Sequence, residues 1–249
     1  EPIGAAFYLM EPIEGFNPTQ GLLDFHKNSA EVRHAMGLSL VDSIAALGRL
    51  DPIAAGLEGF GKPEGYLERQ VARWQAQLDS YAKFDHYAGP DIPGVKRVAS
   101  WLDANRPASF TPGIIHGDYH LANVMYCNDR PDIAAIVDWE LSTVGDPLID
   151  LGWLLATWPE PEHPSPASIS VHPWEGFPSA EQLVERYAQN STRDLSQIQW
   201  YKVLACYKLG IILEGTFARA CAGKAPKATG DVLHATTVGL FERALGDID

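Results

Sequence analysis

Positions 116–123 carry the sequence HGDYHLAN, in which Asp118 and Asn123 stand five residues apart, directly after the apolar run GII. A second apolar run, IAAIV at 133–137, ends at Asp138. Strand ends and the loops that they open are where proteins commonly place ligand-binding side chains. The sequence therefore predicts that two carboxylates and one amide oxygen meet at the ends of two short strands.

This set of oxygen atoms is the one that phosphoryl transfer requires. One carboxylate accepts the proton of the attacking hydroxyl, while an amide oxygen and a second carboxylate hold magnesium on the nucleotide phosphates. We therefore assign the catalytic base to Asp118 and the two metal ligands to Asn123 and Asp138. Taken singly, each is more commonly a turn or capping residue, but the spacing of all three favours the catalytic interpretation.

Four nearby residues are candidates for supporting roles. We interpret His116 as a structural histidine that braces the loop, and His120 as a pocket residue near the substrate. Glu140 is a candidate ligand of a second metal ion or a support for the metal ligands, although a solvated loop glutamate is an equal interpretation. Asp150 lies one turn into a helix predicted from Asp146, where it either satisfies first-turn N–H groups or braces the catalytic loop from below.

The pattern H-x-D-x-H at 116–120 leaves a second reaction class open. Alternate strand residues share one face, so these side chains are also compatible with a metal-dependent hydrolase that holds zinc or a di-metal centre. Such centres need further histidines, and the other histidines of the chain form no recognisable ligand pair. The hydrolase stays a minor alternative.

The bulk composition limits the class of protein. The chain of 249 residues is 46% hydrophobic and 20% charged, which is typical of a soluble globular protein. Its net charge of −13 argues against a nucleic-acid backbone as the main partner. No apolar run is long enough for a membrane span. The three cysteines lack metal-site spacing and indicate reduced thiols, so we expect a cytoplasmic protein.

Hydrophobic periodicity predicts a mostly helical α+β fold. A strand is expected at 5–10 and an exposed loop at 159–178, rich in Pro, Ser and His. The predicted helices span residues 19–50, 66–81, 95–105, 146–158, 179–190, 195–223 and 229–245.

The order H-G-D-x-x-x-x-N, an apolar strand ending in D-W-E, and G-D-P-x-x-D-L resembles the aminoglycoside phosphotransferase/choline kinase family, a branch of the protein-kinase-like fold. More narrowly, GYLERQVARW at 65–74 and FYLME at 7–11 are similar to the kinase-like domain fused to some acyl-CoA dehydrogenases and to its bacterial stand-alone relatives. The resemblance implies an ATP-dependent small-molecule kinase with an alcohol group as acceptor, and ATP and Mg²⁺ as cofactors.

The resemblance also implies a division of the chain. Residues 1–15 match the last strand of the small lobe and the hinge, where Met10, Glu11 and Pro12 meet the adenine, and residues 16–249 match the helical large lobe. Most of the small, nucleotide-gripping lobe is then expected to be missing from this chain, which would be poorly active alone.

Two classes of compound remain as candidates for the phosphoryl acceptor. The narrower resemblance points to a hydroxyacyl compound, and the wider family points to amino-alcohols or aminoglycosides. A non-catalytic binding module that keeps the kinase fold is the alternative function. The sequence does not indicate an oligomeric state.

Overall fold

A computed structural model describes residues 4, 10–159, 167–169 and 171–249. Helices dominate this part of the chain and confirm the mostly helical prediction. The α-helices are α1 Asp24–Lys27, α2 Ala30–Arg49, α3 Gln70–Asp79, α4 Val95–Ala104, α5 Leu148–Thr157, α6 Ala180–Asn190, α7 Ile198–Cys221 and α8 Lys227–Ile248. Four short 3₁₀ turns span Pro18–Gln20, Ser80–Lys83, Leu121–Asn123 and Trp139–Leu141.

Two small antiparallel sheets lie between α4 and α5. Strand β1 (Gly113–Ile115) pairs with β4 (Thr143–Gly145), and β2 (Val124–Tyr126) pairs with β3 (Ile133–Ile136). The pair β2–β3 lies within the loop that joins β1 to β4, so the segments that follow β1 and β3 are brought to the same region. The prediction of two short strands was correct for β1 and β3 and missed their partners.

Helix α5 is the centre of the core. All ten of its residues are buried, as expected for a helix that is apolar on nearly every face. It packs closely on α7 at Gly152, where an added Cβ would lie 2.6 Å from the backbone of Tyr201. Helix α7 in turn packs along α8. This close approach fixes the position of α5 relative to α7.

The prediction of one continuous helix at 19–50 was wrong. The chain instead forms a 3₁₀ turn and the short helix α1, and it begins α2 after Ser29, whose hydroxyl accepts the N–H of Val32 at 3.2 Å. A serine in this N-cap position satisfies a free helix N–H and so favours a new helix start.

The predicted helix at 66–81 begins later, at Gln70. The preceding turns are held by the Arg69 guanidinium, which donates to the carbonyls of Lys62, at 2.6 Å, and Glu64. The predicted loop at 159–178 contains no helix or strand in its described residues. The predicted strand at 5–10 lies outside the described residues except for Met10, which is irregular and exposed. Within the described ranges, no helix is long and apolar enough to cross a bilayer.

We expect Gly152→Ala to destabilise the fold although alanine is the better helix former. The gain in helix propensity is at most about 1 kcal/mol, whereas forcing a methyl group against the Tyr201 backbone costs about 1–3 kcal/mol. The control is Gly246→Ala in α8, where an added Cβ has no neighbour within 4 Å. Urea unfolding should show a lower free energy of unfolding for the first variant and an unchanged or higher one for the second. Equal effects would contradict the close packing.

Candidate active site

The loop that follows β1 passes close beneath the 3₁₀ turn at Trp139–Leu141. Gly117 has φ of +89°, a conformation that favours glycine, and an added Cβ there would collide with the backbone carbonyl of Leu141. Glycine is therefore required at this position for two reasons. The resulting sharp turn carries Asp118 directly out of β1 and into the site.

Asp150 holds this loop from within the core. Its carboxylate is buried and accepts the backbone N–H of His116 at 2.7 Å and that of Gly117 at 2.8 Å. Burial raises the pKa of Asp150 above its ordinary value, although the two N–H donors and the charge of Lys208 act in the opposite direction. The oxygens of Asp150 thus bond to residues 116 and 117, so its carboxylate lies beside the loop that leads to Asp118.

The carboxylate of Asp118 is held at both oxygens. Oδ1 lies 3.2 Å from Nε2 of His120, and Oδ2 accepts from Nδ2 of Asn123 at 3.1 Å. Burial alone would raise the pKa of Asp118, but the hydrogen bond and charge of His120 and the charge of Lys208 outweigh it and lower that pKa. Asp118 is thus an oriented carboxylate that stays ionised at neutral pH.

His116 connects the two predicted strand ends. Its Nδ1 accepts the backbone N–H of Asp118 at 3.3 Å, so its Nε2 carries the proton and donates to the carbonyl of Val137 at 2.8 Å. The N–H of Val137 donates to the carbonyl of Asn123 at 3.0 Å. Val137 is therefore hydrogen bonded through both its carbonyl and its N–H. These bonds place the next residue, Asp138, beside the Asn123 loop.

Asn123 and Asp138 retain oxygen atoms that could bind a cation. The amide nitrogen of Asn123 is used by Asp118, which orients its Oδ1 as the remaining acceptor. The carboxylate of Asp138 is exposed and has no hydrogen-bond or ion-pair partner in the described part of the chain. Asp138 also adopts the left-handed region, with φ of 67°, a conformation that costs a non-glycine residue about 1–2 kcal/mol. Hard oxygen donors of this kind suit Mg²⁺.

The geometry disfavours the metal-hydrolase interpretation. Both ring nitrogens of His116 are taken by backbone groups, and Nδ1 of His120 accepts the N–H of Ala122 at 3.2 Å. Within the described ranges, no group of three or more His, Cys, Asp or Glu side chains is placed to hold a metal ion.

The remaining predicted residues lie apart from this network. Glu140 is exposed in the 3₁₀ turn after Asp138. Met10, Glu11 and Pro12 are exposed and irregular, and no contact described for them reaches the site. The chain meets the site just beyond them: Phe16 exchanges two backbone hydrogen bonds with Tyr126, and Asn17 donates to the carbonyls of Ala122 and Val124.

Lys208 of α7 belongs to the site and was missed from the sequence. Its ammonium donates to the carbonyl of Gly117 at 2.7 Å and lies over the rings of Trp153 and Trp74. The only available signal was a single lysine in the otherwise apolar stretch ACYKLGIIL, some 90 positions after the loop. Such a lysine is usually read as a solvated residue on a helix.

A cavity of about 1010 Å³ lies at the other end of the β1–β4 pair. Its walls include the loops around Phe60 and Phe110, together with Val144, Asp146 and Arg193. None of the predicted catalytic or metal-binding residues lines it. The cavity is therefore a feature separate from the Asp118 network.

The phosphotransferase enzyme family matches residues 1–183 of the chain. Among curated relatives, the human acyl-CoA dehydrogenase family member 11 is 31% identical over 230 residues, which are 89% of this chain and 28% of that protein. The mouse acyl-CoA dehydrogenase family member 10 is 27% identical over 247 residues, or 97% of this chain and 22% of that protein. The chain thus spans less than a third of the length of these relatives.

Solved structures agree with this match. A Ralstonia eutropha protein, solved as a candidate aminoglycoside phosphotransferase, is 26% identical with a TM-score of 0.77, covering 96% of this chain and 71% of its own. A choline/ethanolamine kinase family protein from Mesorhizobium loti, at 18% identity and a TM-score of 0.53, covers 89% of this chain and 69% of its own, and shows a shared fold. The resemblance expected from the sequence is confirmed.

We expect Asp150→Asn to destabilise the protein by about 1–3 kcal/mol, because an amide has only one acceptor oxygen and leaves one of two buried N–H groups unpaired. The change also removes the carboxylate charge that faces the Lys208 ammonium. The control is Asp129→Asn, whose side chain is 80% exposed, and which should change stability by less than about 0.5 kcal/mol. Chemical denaturation measures both, and equal stabilities would refute the bracing role.

Proposed function

The chain belongs to the phosphotransferase enzyme family, and we propose that it is the helical large lobe of an ATP-dependent small-molecule kinase that phosphorylates a hydroxyl group. The observation that carries this proposal is the arrangement around Asp118. An oriented, ionised carboxylate is hydrogen bonded to Asn123, and the Asn123 loop is tied through Val137 to the exposed carboxylate of Asp138.

In this proposal Asp118 orients the acceptor hydroxyl and takes its proton. The lowered pKa of Asp118 makes it a weak base, so the proton is transferred late, when the hydroxyl oxygen has begun to bond to phosphorus and has become acidic. Transition states of phosphoryl transfer are loose and need little help from a strong base. Most of the rate enhancement then comes from positioning and from neutralising charge.

Asn123 and Asp138 are proposed to hold magnesium through Oδ1 and the carboxylate, respectively. A bound magnesium ion would neutralise charge on the nucleotide phosphates. The exposed, unpaired carboxylate of Asp138 on a strained backbone supports this assignment, because such strain is typical of functional positions. His116 contributes indirectly, by holding the Val137 carbonyl next to it.

We assign residues 1–15 to the last small-lobe strand and the hinge, with Met10, Glu11 and Pro12 near the adenine of ATP. Support comes from the residues that follow. Phe16 and Asn17 bond to the backbone around Asn123, so a hinge at 10–15 would be fixed directly to the proposed metal-binding loop. In that arrangement a nucleotide held at the hinge is placed over the same loop.

Two acceptor classes are proposed for test. The names of the curated relatives refer to acyl-CoA, which supports an acyl compound that carries a hydroxyl group, and the titles of the solved structures refer to aminoglycosides and to choline or ethanolamine. The net charge of −13 favours cations through long-range attraction. Lys208, next to the Asp118 loop, would instead attract an acceptor that carries a carboxylate or phosphate.

The proposal is tested by screening the full-length gene product with Mg²⁺ and γ-labelled ATP against both acceptor classes, together with its Asp118→Asn variant. We expect wild-type transfer to at least one acceptor, and a loss of about 10²–10⁴-fold in the variant because the proton acceptor is removed. Nucleotide affinity, measured by calorimetry, should change little. Asp129→Asn serves as the active control.

Wild-type protein that binds ATP but phosphorylates no acceptor would favour the non-catalytic binding module. Full activity of Asp118→Asn would contradict the catalytic assignment, even if the protein proves to be a kinase.

We expect two substitutions of Asp138 to separate activity from stability. Glycine adopts the left-handed region without strain, which stabilises the folded state by about 1–2 kcal/mol. The extra conformational entropy that a glycine loses on folding opposes this by about 0.5–1 kcal/mol. Asp138→Gly should therefore be as stable as wild type or more so, and more stable than Asp138→Ala. Both should lose magnesium-dependent transfer. Thermal unfolding and a magnesium titration of activity measure the two effects, and an active Asp138→Gly would exclude Asp138 as a metal ligand.

A further inference from the structure

Lys208 occupies a costly position beside the catalytic loop. Its Nζ lies 2.7 Å from the carbonyl oxygen of Gly117, whose own N–H is bound by Asp150. The polar groups of Gly117 are thus held from two helices, the N–H by α5 and the carbonyl by α7. Since Gly117 immediately precedes Asp118, these two bonds fix the backbone from which the proposed base projects.

The surroundings of the ammonium are both aromatic and charged. Nζ lies 4.2 Å from the centre of the Trp153 ring and 5.6 Å from that of Trp74, which supports a cation–π contribution from each. Among charged groups, the carboxylates of Asp150 and Asp118 attract it and the guanidinium of Arg73 repels it. Desolvation is the largest effect and lowers the pKa of Lys208 to about 8.

A purely structural side chain in this position would not need a charge. An apolar chain of similar length packs between two indoles without the desolvation cost of an ammonium. What the apolar chain cannot supply is the hydrogen bond to the Gly117 carbonyl and the positive charge that strengthens this bond. Both features are directed at the catalytic loop.

We propose that Lys208 is a positioning residue of the phosphotransferase site: its ammonium holds the Gly117 carbonyl and so fixes the backbone from which Asp118 projects. This inference rests on the proposed function for its effect on rate. Above about pH 8 the ammonium loses its proton and its charge, while a neutral amine still donates a hydrogen bond. Because a neutral amine donates a weaker hydrogen bond than an ammonium does, the transfer rate of the wild type should decline through that range as the Gly117 carbonyl is held less firmly.

The experiment compares Lys208→Met, Lys208→Arg and the control Lys202→Met in the full-length protein. Lys202 lies on the same helix and pairs with Asp247 at 3.4 Å, away from the Asp118 network. We expect Lys208→Met to lower kcat on the order of 10–100-fold through a displaced base, with the KM for ATP nearly unchanged and the decline near pH 8 abolished. Lys208→Arg should recover part of kcat and stay active above pH 9, because guanidinium does not deprotonate there.

A second readout does not depend on turnover. In ¹⁵N-labelled protein, the backbone amide resonance of Asp118, which shares its peptide unit with the Gly117 carbonyl, should shift in Lys208→Met, return toward the wild-type position in Lys208→Arg and stay near it in Lys202→Met. Urea unfolding verifies that all three variants are folded at the temperature used.

These measurements separate the possible outcomes. An Asp118 amide resonance unaffected by Lys208→Met overturns the role of Lys208, whatever the activity. A kcat that falls without any change in the pH profile also overturns it, because loss of packing alone would do this. If the Asp118 amide responds as expected but the wild type transfers no phosphoryl group, the proposed function fails and the positioning of the Gly117 carbonyl by Lys208 stands.

Discussion

The two hydrogen bonds from the backbone of residues 116 and 117 to the buried carboxylate of Asp150 are the constraint on which the site depends. A loop that leaves a strand must find partners for its backbone N–H groups, and inside a protein an unpaired N–H costs about 1–3 kcal/mol. Here one carboxylate on α5 satisfies two of them. Because α5 is buried on every side, these bonds attach the loop to the rigid core, and the loop is held more firmly than an ordinary surface loop.

The close contact of α5 with α7 extends this constraint. Gly152 lets the two helices approach until its Cα lies against the Tyr201 backbone, and Lys208 follows two turns further along α7. The N–H of Gly117 therefore bonds to a carboxylate on α5, and the carbonyl of the same residue bonds to an ammonium on α7. From there the His116 ring donates to the Val137 carbonyl, and the Val137 N–H donates to the Asn123 carbonyl, so the second loop is tied to the first. The side chains of Asp118, Asn123 and Asp138 keep oxygen atoms available for ligands.

The sequence was most informative where function depends on neighbours along the chain. The spacing of Asp118, Asn123 and Asp138 predicted a shared site, and the structure ties the two loops together through Val137. The partners β2 and β4 were missed because a three-residue strand shows no periodicity, and its pairing is decided by distant residues. Lys208 was missed for a similar reason, since only the packing of α5 on α7 brings it to Gly117. The break at Ser29 was a local signal that a capping argument identifies, whereas hydrophobic periodicity alone runs through it.

The energetic cost of this arrangement bears on the choice between a kinase and a binding module. Buried charges such as Asp150 and Lys208 are often less stabilising than well-packed apolar side chains of similar volume. The left-handed backbone at Asp138 is a second cost, and its exposed side chain gains no partner in return within the described residues. A module that only needed the fold would be more stable with an apolar pair between α5 and α7 and a glycine at position 138. Each of these costs instead falls on a group that fixes the Asp118 loop or presents an oxygen beside it, and this supports the proposed phosphotransferase over the binding module.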